Sequence, residues 1–293
     1  MQRRLLHFWL AALLLCGCSG GAKQDATPAV WAVRDDDTTI YLTGTVHLLP
    51  DGVNWRNGPI VEAIAAAQAL VTELSPTELS RVAVVSNRFT YGTAVTDPRD
   101  RFAPDLRAAF IALEANDLPT VRNMAALDDW ALALMLARVS ANQAGLNADN
   151  GVDGALIAEF AHRNKPRFGL ERAEDQFAAF DAIPPGEQRR MLNRLMRDMA
   201  EGKADERLRA TVSAWAQGDM EKLAVIIARD AADTPGVNRL LLTERNRKWA
   251  DWMAQRMDEP GTILVAVGAG HLAGPDSLLA MLAARGIEAE RLR

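Results

Sequence analysis

The chain has 293 residues, 49% of them hydrophobic and 24% charged, with a formal net charge of -5. That composition is ordinary globular and supplies enough apolar material for a sizeable core. Mild acidity without a basic stripe excludes nucleic acid as the main partner.

Residues 1–18 read as a targeting segment. Arg3 and Arg4 form a positive start, and 5-LLHFWLAALLL-15 is an apolar run too short to span a bilayer comfortably. The following 15-LCGC-18 resembles a bacterial lipobox, with Leu15 and Gly17 in the aliphatic and small positions and Cys18 as the lipidated residue. Cys16 fits less well, because bulky Leu15 directly precedes it. The resemblance implies an exported lipoprotein held to a membrane by acyl chains. Ser19 after the cysteine favours the outer membrane, facing the periplasm. Residues 19–28 read as a flexible tether, and 29–293 as one domain. With both cysteines in or beside the leader, the domain has none, which removes disulfides, cysteine-type zinc sites and cysteine nucleophiles.

Past the tether, 29–34 and 39–44 are β-type runs joined by the polar turn 35-DDDT-38, a predicted hairpin. Pro59 opens a predicted helix over 59–70, and a strand over 70–74 carries Glu73. Helices are predicted over 104–116, 128–143, 153–164, 184–202 and 237–257, with one short strand, 166–171, ending in Glu171. The stripe Met191, Leu192, Leu195, Met196 and Met199 reads as core packing. At the far end come a strand over 262–268, a helix opened by Pro275 over 275–286, and a strand over 287–292.

The two ends match. Strand, glycine, histidine three residues on, helix and strand occur in both, with 44-GTVH-47 and 268-GAGH-271 as equivalent corners. The expected fold is therefore α/β: a mixed central sheet from two related strand-GxxH-helix-strand halves, with a large helical middle region. A strand ending in glycine turns sharply, so a side chain just beyond it can point over the carboxyl edge of the sheet, where ligands bind in open α/β folds. His47 and His271 brought there, with Glu73, would present a two-histidine, one-carboxylate face to a divalent metal. The competing reading makes each histidine a separate core or capping residue.

One residue breaks the pattern of its helix. Leu241, Arg245, Trp249 and Trp252 share one narrow arc, which puts a guanidinium in an apolar stripe. It needs a carboxylate or anionic ligand there, with Glu73 and Glu171 as candidates. Alternatively its stem packs on the tryptophans and its head reaches solvent.

The chain resembles the TraB/GumN proteins, related to the Tiki membrane-tethered proteases and more distantly to erythromycin esterases and haem-binding ChaN-like proteins. The resemblance rests on 42-LTGTVHLLP-50, 71-VTEL-74, 151-GVDGAL-156, 169-GLERAEDQ-176, 244-ERNRKW-249 and 267-VGAGHLAG-274. It implies a pocket on the two GxxH corners with a glutamate and, by Tiki analogy, metal-dependent peptide-bond cleavage with manganese or cobalt; zinc suits the same ligand types. The mechanism expected has His47, His271 and Glu73 holding the ion, Glu171 accepting a proton from bound water, and Arg245 with Asn246 stabilising an oxyanion. Glu73 and Glu171 are interchangeable as ligand and base at this stage, and Glu244 replaces Arg245 if the helix is rotated by one residue. The substrate class is a peptide or small molecule. The alternative is a non-catalytic lipoprotein that binds haem, metal or a peptide in the same pocket.

Overall fold

The structure is a computed structural model that describes residues 24–92, 95–117 and 124–293. The leader, Cys18 and the first half of the expected tether lie outside the described residues. The second half is docked rather than free. Gln24–Asp25 forms a short strand, β1, and Ala26 is buried.

The predicted hairpin is β2 (Val30–Arg34) and β3 (Thr38–Thr45), and Asp35 makes its turn by accepting the Asp37 and Thr38 amides at 3.1 and 2.7 Å. β4 (Val53–Asn54) pairs in parallel with β1. α1 (Pro59–Ala66) starts on its proline and ends four residues short of the predicted helix, because strand β5 (Ala69–Leu74) begins at once. Ser75 caps α2 (Pro76–Ser86) through the Glu78 amide. The helical middle continues with α3 (Arg107–Asp117), α4 (Asp129–Gln143) and α5 (Val152–His162), then strand β6 (Arg167–Glu171). After it come α6 (Ala173–Asp181), α7 (Pro185–Ala200), α8 (Lys203–Ala216) and α9 (Met220–Ala231).

The helix expected over 237–257 is broken. α10 (Pro235–Asn238) passes into a π-helical turn, Arg239–Thr243, before α11 (Glu244–Arg256). There the Glu244 amide bonds to the Arg239 carbonyl five residues back, so one extra residue is taken up in the turn. β7 (Gly261–Gly268) follows. Pro275 does not open the last helix: Ser277 caps α12 (Leu278–Ala283), and β8 is only Glu290–Arg291.

Six strands form one mixed sheet in the order β6-β5-β7-β3-β2-β8. β6, β5, β7 and β3 run parallel, while β2 is antiparallel to β3 and β8 to β2. β7 alternates between two cores: Leu264 and Ala266 pack with Leu70, Phe160 and Trp215 on one face, and Val265 and Val267 pack with Leu42, Val71 and Trp249 on the other. A separate helical core holds Phe110, Leu132, Leu136, Leu192 and Met196, where the methionine stripe packs as expected.

The register sets up the site. β3 and β7 are direct neighbours, with Gly44 opposite Val267 and Thr45 opposite Gly268, so the two GxxH corners leave the sheet side by side. The corner after β3 is tight. A Cβ on Gly44 would stand 2.9 Å from the Ala269 Cα, and the Gly44 carbonyl accepts the Trp215 indole N–H at 2.8 Å. Gly44→Ala is therefore expected to destabilise the chain by about 1–3 kcal/mol through forced backbone movement. The urea midpoint measures it.

Candidate functional site

β3, β5, β6 and β7 all present their carboxyl ends at one edge of the sheet, and the site is built there. Glu73 lies in β5, Glu171 ends β6, and His47 and His271 follow β3 and β7. The first turn of α11 adds Arg245 and Asn246.

Arg245 binds both carboxylates. Its Nε and Nη2 donate to Glu171 Oε2 and Oε1 at 3.0 and 2.6 Å, a bidentate fork, and Nη2 also donates to Glu73 Oε2 at 2.6 Å. Nη1 donates to the Leu241 carbonyl in the π-turn at 2.9 Å and to His271 Nε2 at 3.2 Å. These contacts use all five N–H groups of the guanidinium. The cation also lies 4.8 Å from the Trp249 ring centroid. Only 11% of the Arg245 side chain and 9% of the Glu171 side chain are exposed.

His271 is buried between Trp249, at 4.4 Å between ring centroids, and Arg245. Asn246 fixes its tautomer. The Asn246 amide nitrogen donates to the Asp276 carbonyl at 2.8 Å, which turns Oδ1 toward His271 Nδ1 at 2.6 Å. The Nδ1 proton is then donated to Asn246, and Nε2 accepts from Arg245. Burial pushes the His271 pKa down to about 3, with Glu73 working against the shift and Arg245 adding to it.

The two glutamates are driven apart. Burial opposes the Glu73 carboxylate, yet its pKa is held at about 2. The causes are the charge of His271, protonated by the pH at which Glu73 titrates, the Arg245 charge, the Gly268 N–H, which donates to Glu73 Oε1 at 2.8 Å, and the charge of His47. Burial raises the Glu171 pKa despite its fork to Arg245. The two environments thus separate the acids: Glu73 is the more readily ionised and Glu171 the more readily protonated. Gln176 donates to both, at 3.4 Å to Glu73 and 3.1 Å to Glu171.

His47 stands at the open side with 70% of its side chain exposed. Its Nδ1 bonds to Asp153 Oδ2 at 2.8 Å, and Thr45 donates to Asp153 Oδ1 at 2.6 Å. The hydrogen bond to Asp153 raises the His47 pKa to about 9, an effect that solvent around so exposed a ring works to reduce. The charges of Glu73 and Arg245 also act on it, which ties His47 to the buried network. The backbone holds the pair in place. The Val152 amide donates to the Val46 carbonyl at 3.0 Å, and a Cβ on Gly151 would stand 2.5 Å from the His47 carbonyl oxygen.

A family model for the TraB/PrgY/gumN family matches residues 29–291. The chain belongs to this family. It is similar to the uncharacterized protein YbaP of Escherichia coli (strain K12) and of Shigella flexneri, at 29% identity over 154 residues in each case. Those residues are 52% of this chain and 55% of the relative, so the chain spans about half the length of the curated relatives it matches. No solved structure matches it.

Among the described residues, His47, Glu73, Glu171, Arg245, Asn246 and His271, singled out from the sequence of this TraB/PrgY/gumN member, lie at the one sheet edge, but the roles shift. Asn246 has its amide oxygen and nitrogen engaged and is buried, so it positions His271 instead of donating to an oxyanion. Arg245 has no spare donor, and the contact to His271, its longest, is the one most easily redirected. Glu244 stays outside the Arg245 network and pairs with Arg239 at the surface. Sequence reasoning missed Asp153, Thr45 and Gln176. Asp153 and Gln176 lie inside the segments 151-GVDGAL-156 and 169-GLERAEDQ-176, where an acid in the first turn of a helix reads only as a dipole partner.

The donor chemistry of His47, Glu73 and His271 suits a divalent ion, and each imidazole has Nδ1 tied to an outer partner, as ligating histidines do. The arrangement itself is not a ligand cage. Glu73 is held by Gly268 and Arg245, His271 Nε2 faces the guanidinium, and among the described residues no three metal-capable side chains stand grouped.

Two outcomes follow for stability. Arg245→Met strands two buried carboxylates and is expected to cost about 3–5 kcal/mol, with part regained when Glu171→Gln is added; chemical denaturation reads both. The second is pH dependence. The unfolded chain protonates His271 near its ordinary 6.5 and the folded chain only near 3, so stability falls as pH drops from 6.5 toward 3. Glu73 adds a loss from 4.5 downward through 2. His47 acts oppositely, contributing fully below 6.5 and losing its contribution as pH rises through about 9. The melting temperature is expected to fall between pH 7 and 4, and to fall less in His271→Asn.

Proposed function

We propose that this TraB/PrgY/gumN chain is a hydrolase of peptide or peptide-like bonds, tethered through Cys18 to the outer membrane and facing the periplasm. The observation that carries the reading is His47. Its ring is exposed, its Nδ1 is anchored by Asp153, its Nε2 has no hydrogen-bond partner among the described residues, and the charges of Glu73 and Arg245 reach it from the buried network. An exposed imidazole oriented by a carboxylate is a proton-transfer group.

Water is the nucleophile, since the domain holds no cysteine. His47 Nε2 takes the proton of the attacking water and returns it to the leaving nitrogen, while Asp153 stabilises the imidazolium formed between the two transfers. Glu171 is the second proton carrier. Arg245, by turning one N–H from His271, meets negative charge developing on the substrate carbonyl oxygen. A cavity of about 310 Å³ lined by Glu171, Glu244, Arg245, Lys248 and Trp249 gives space beside Glu171 and Arg245.

The Nδ1 anchoring of both histidines favours a second form of the reading, in which His47, His271 and Glu73 hold a divalent ion, manganese, cobalt or zinc. When bound, it would lower the pKa of a coordinated water. Arg245 must then release His271.

The test is turnover of a peptide and ester library by the purified protein, as isolated, with each metal added, and with chelator. Wild type is expected to turn over at least one member, rising with pH as His47 loses its proton. His47→Ala should lower turnover by about 10²-fold or more with helical content unchanged. Chelator sensitivity assigns the reaction to the metal form. Tight binding of haem or a peptide through the same histidines without turnover sinks the hydrolase reading in favour of a binding lipoprotein.

A further inference from the structure

β6 is the outer strand of the sheet, and it leads directly into the network at Glu171. Every other strand of the parallel set, β5, β7 and β3, has neighbours on both sides and is mostly buried; β6 is exposed or half-buried along its whole length. Phe168 within it is 53% exposed. Folded proteins ordinarily cover such edges, because unpaired backbone groups recruit another strand.

The pairing with β5 decides which groups are free. The Leu70 amide donates to the Pro166 carbonyl, and Leu70 and Thr72 stand opposite Arg167 and Gly169. In a parallel ladder the residue opposite a bonded position turns its own N–H and C=O away, toward the far side. Arg167 and Gly169 therefore direct their backbone groups outward, and no described residue bonds to them there.

Charge selects the occupant. Arg167 has no ion-pair partner among the described residues, whereas Arg172 beyond the strand, 64% exposed, already pairs with Glu174 at 3.5 Å. A second copy paired with Arg167 facing itself would bring like charges together, and one paired about Gly169 would set Arg167 against a Glu171 whose oxygens Arg245 and Gln176 already hold. An acidic extended peptide would meet opposite charges.

Resting on the reading of the site as a peptide hydrolase, we propose that β6 is its substrate-docking edge: an extended, acidic polypeptide segment adds as a further strand against Arg167 and Gly169, and its chain is thereby led past Glu171. Main-chain bonds supply affinity and leave most side chains unread, as in other strand-addition modes. The substrate class is then an unfolded or extended acidic segment, not a compact small molecule.

The test uses the full chain carrying His47→Ala, so that binding is read without turnover. The probe is a short blocked peptide of alternating Thr and Glu, compared with the same peptide N-methylated at every second amide. Expected are slowed hydrogen exchange at Arg167 and Gly169, about tenfold weaker binding of the N-methylated peptide, and about tenfold weaker binding to Arg167→Glu. Equal binding of the two peptides, or protection mapping elsewhere, overturns the inference. So does concentration-dependent protection of β6 without peptide, which would assign the edge to a second copy. Library turnover without edge protection removes this inference and leaves the hydrolase reading standing; edge protection without turnover does the reverse.

Discussion

The guanidinium of Arg245, shared between Glu73 and Glu171, is the contact on which the rest of the site depends. Two carboxylates at the ends of adjacent parallel strands repel one another and lose their hydration when helices close over them. One buried cation offsets both effects and makes the closed arrangement possible. It also creates the asymmetry between the two acids, since Glu73 has the Gly268 amide as a second support and Glu171 has Gln176. His271 completes the arrangement as a neutral acceptor, a state fixed by Asn246. The network is thus electrically coherent, and removing a single member leaves another uncompensated.

The sheet positions this network with little freedom. Parallel pairing of β3 with β7 forces both GxxH corners to leave the same edge, and the close approach of Gly44 to Ala269 keeps them in contact. The outcome is unequal. The corner after β7 turns inward as a short 3-10 turn and buries His271, while the corner after β3 stays at the surface and exposes His47. Equivalent sequence positions therefore stand in different surroundings, one buried in the ion-pair network, the other open to solvent.

Much of this was legible in the sequence. β2, β3 and β7 are buried on both faces and stand out as apolar runs between turns, and an arginine in a tryptophan stripe signals a buried partner. Asp153 was not legible, because its partner lies 106 positions away and nothing local distinguishes it from any first-turn acid. The last helix starts late because the Asp276 carbonyl is taken by Asn246, and β8 is short because the Ile287 amide still bonds back to Leu282. Helices α2, α6, α8 and α9 escaped notice, although α8 and α9 carry apolar stripes at helical spacing, Ala204, Leu208, Val212 and Trp215 in one and Leu223, Ala224 and Ile227 in the other.

The π-turn at Arg239–Thr243 gives this architecture an uneven tolerance to changes of chain length. A π-turn stores one residue beyond the α-helical count, and each residue turns a helix by about 100°. Upstream, in the surface loop between α9 and α10, an inserted or lost residue leaves the phase of α11 untouched. Inside the turn, loss of one residue would restore a regular helix and swing Arg245 and Asn246 together off the sheet edge. A change of chain length in this region is thus absorbed on one side only of a boundary that no side chain marks, and the turn acts as a spacer that sets where Arg245 and Asn246 stand.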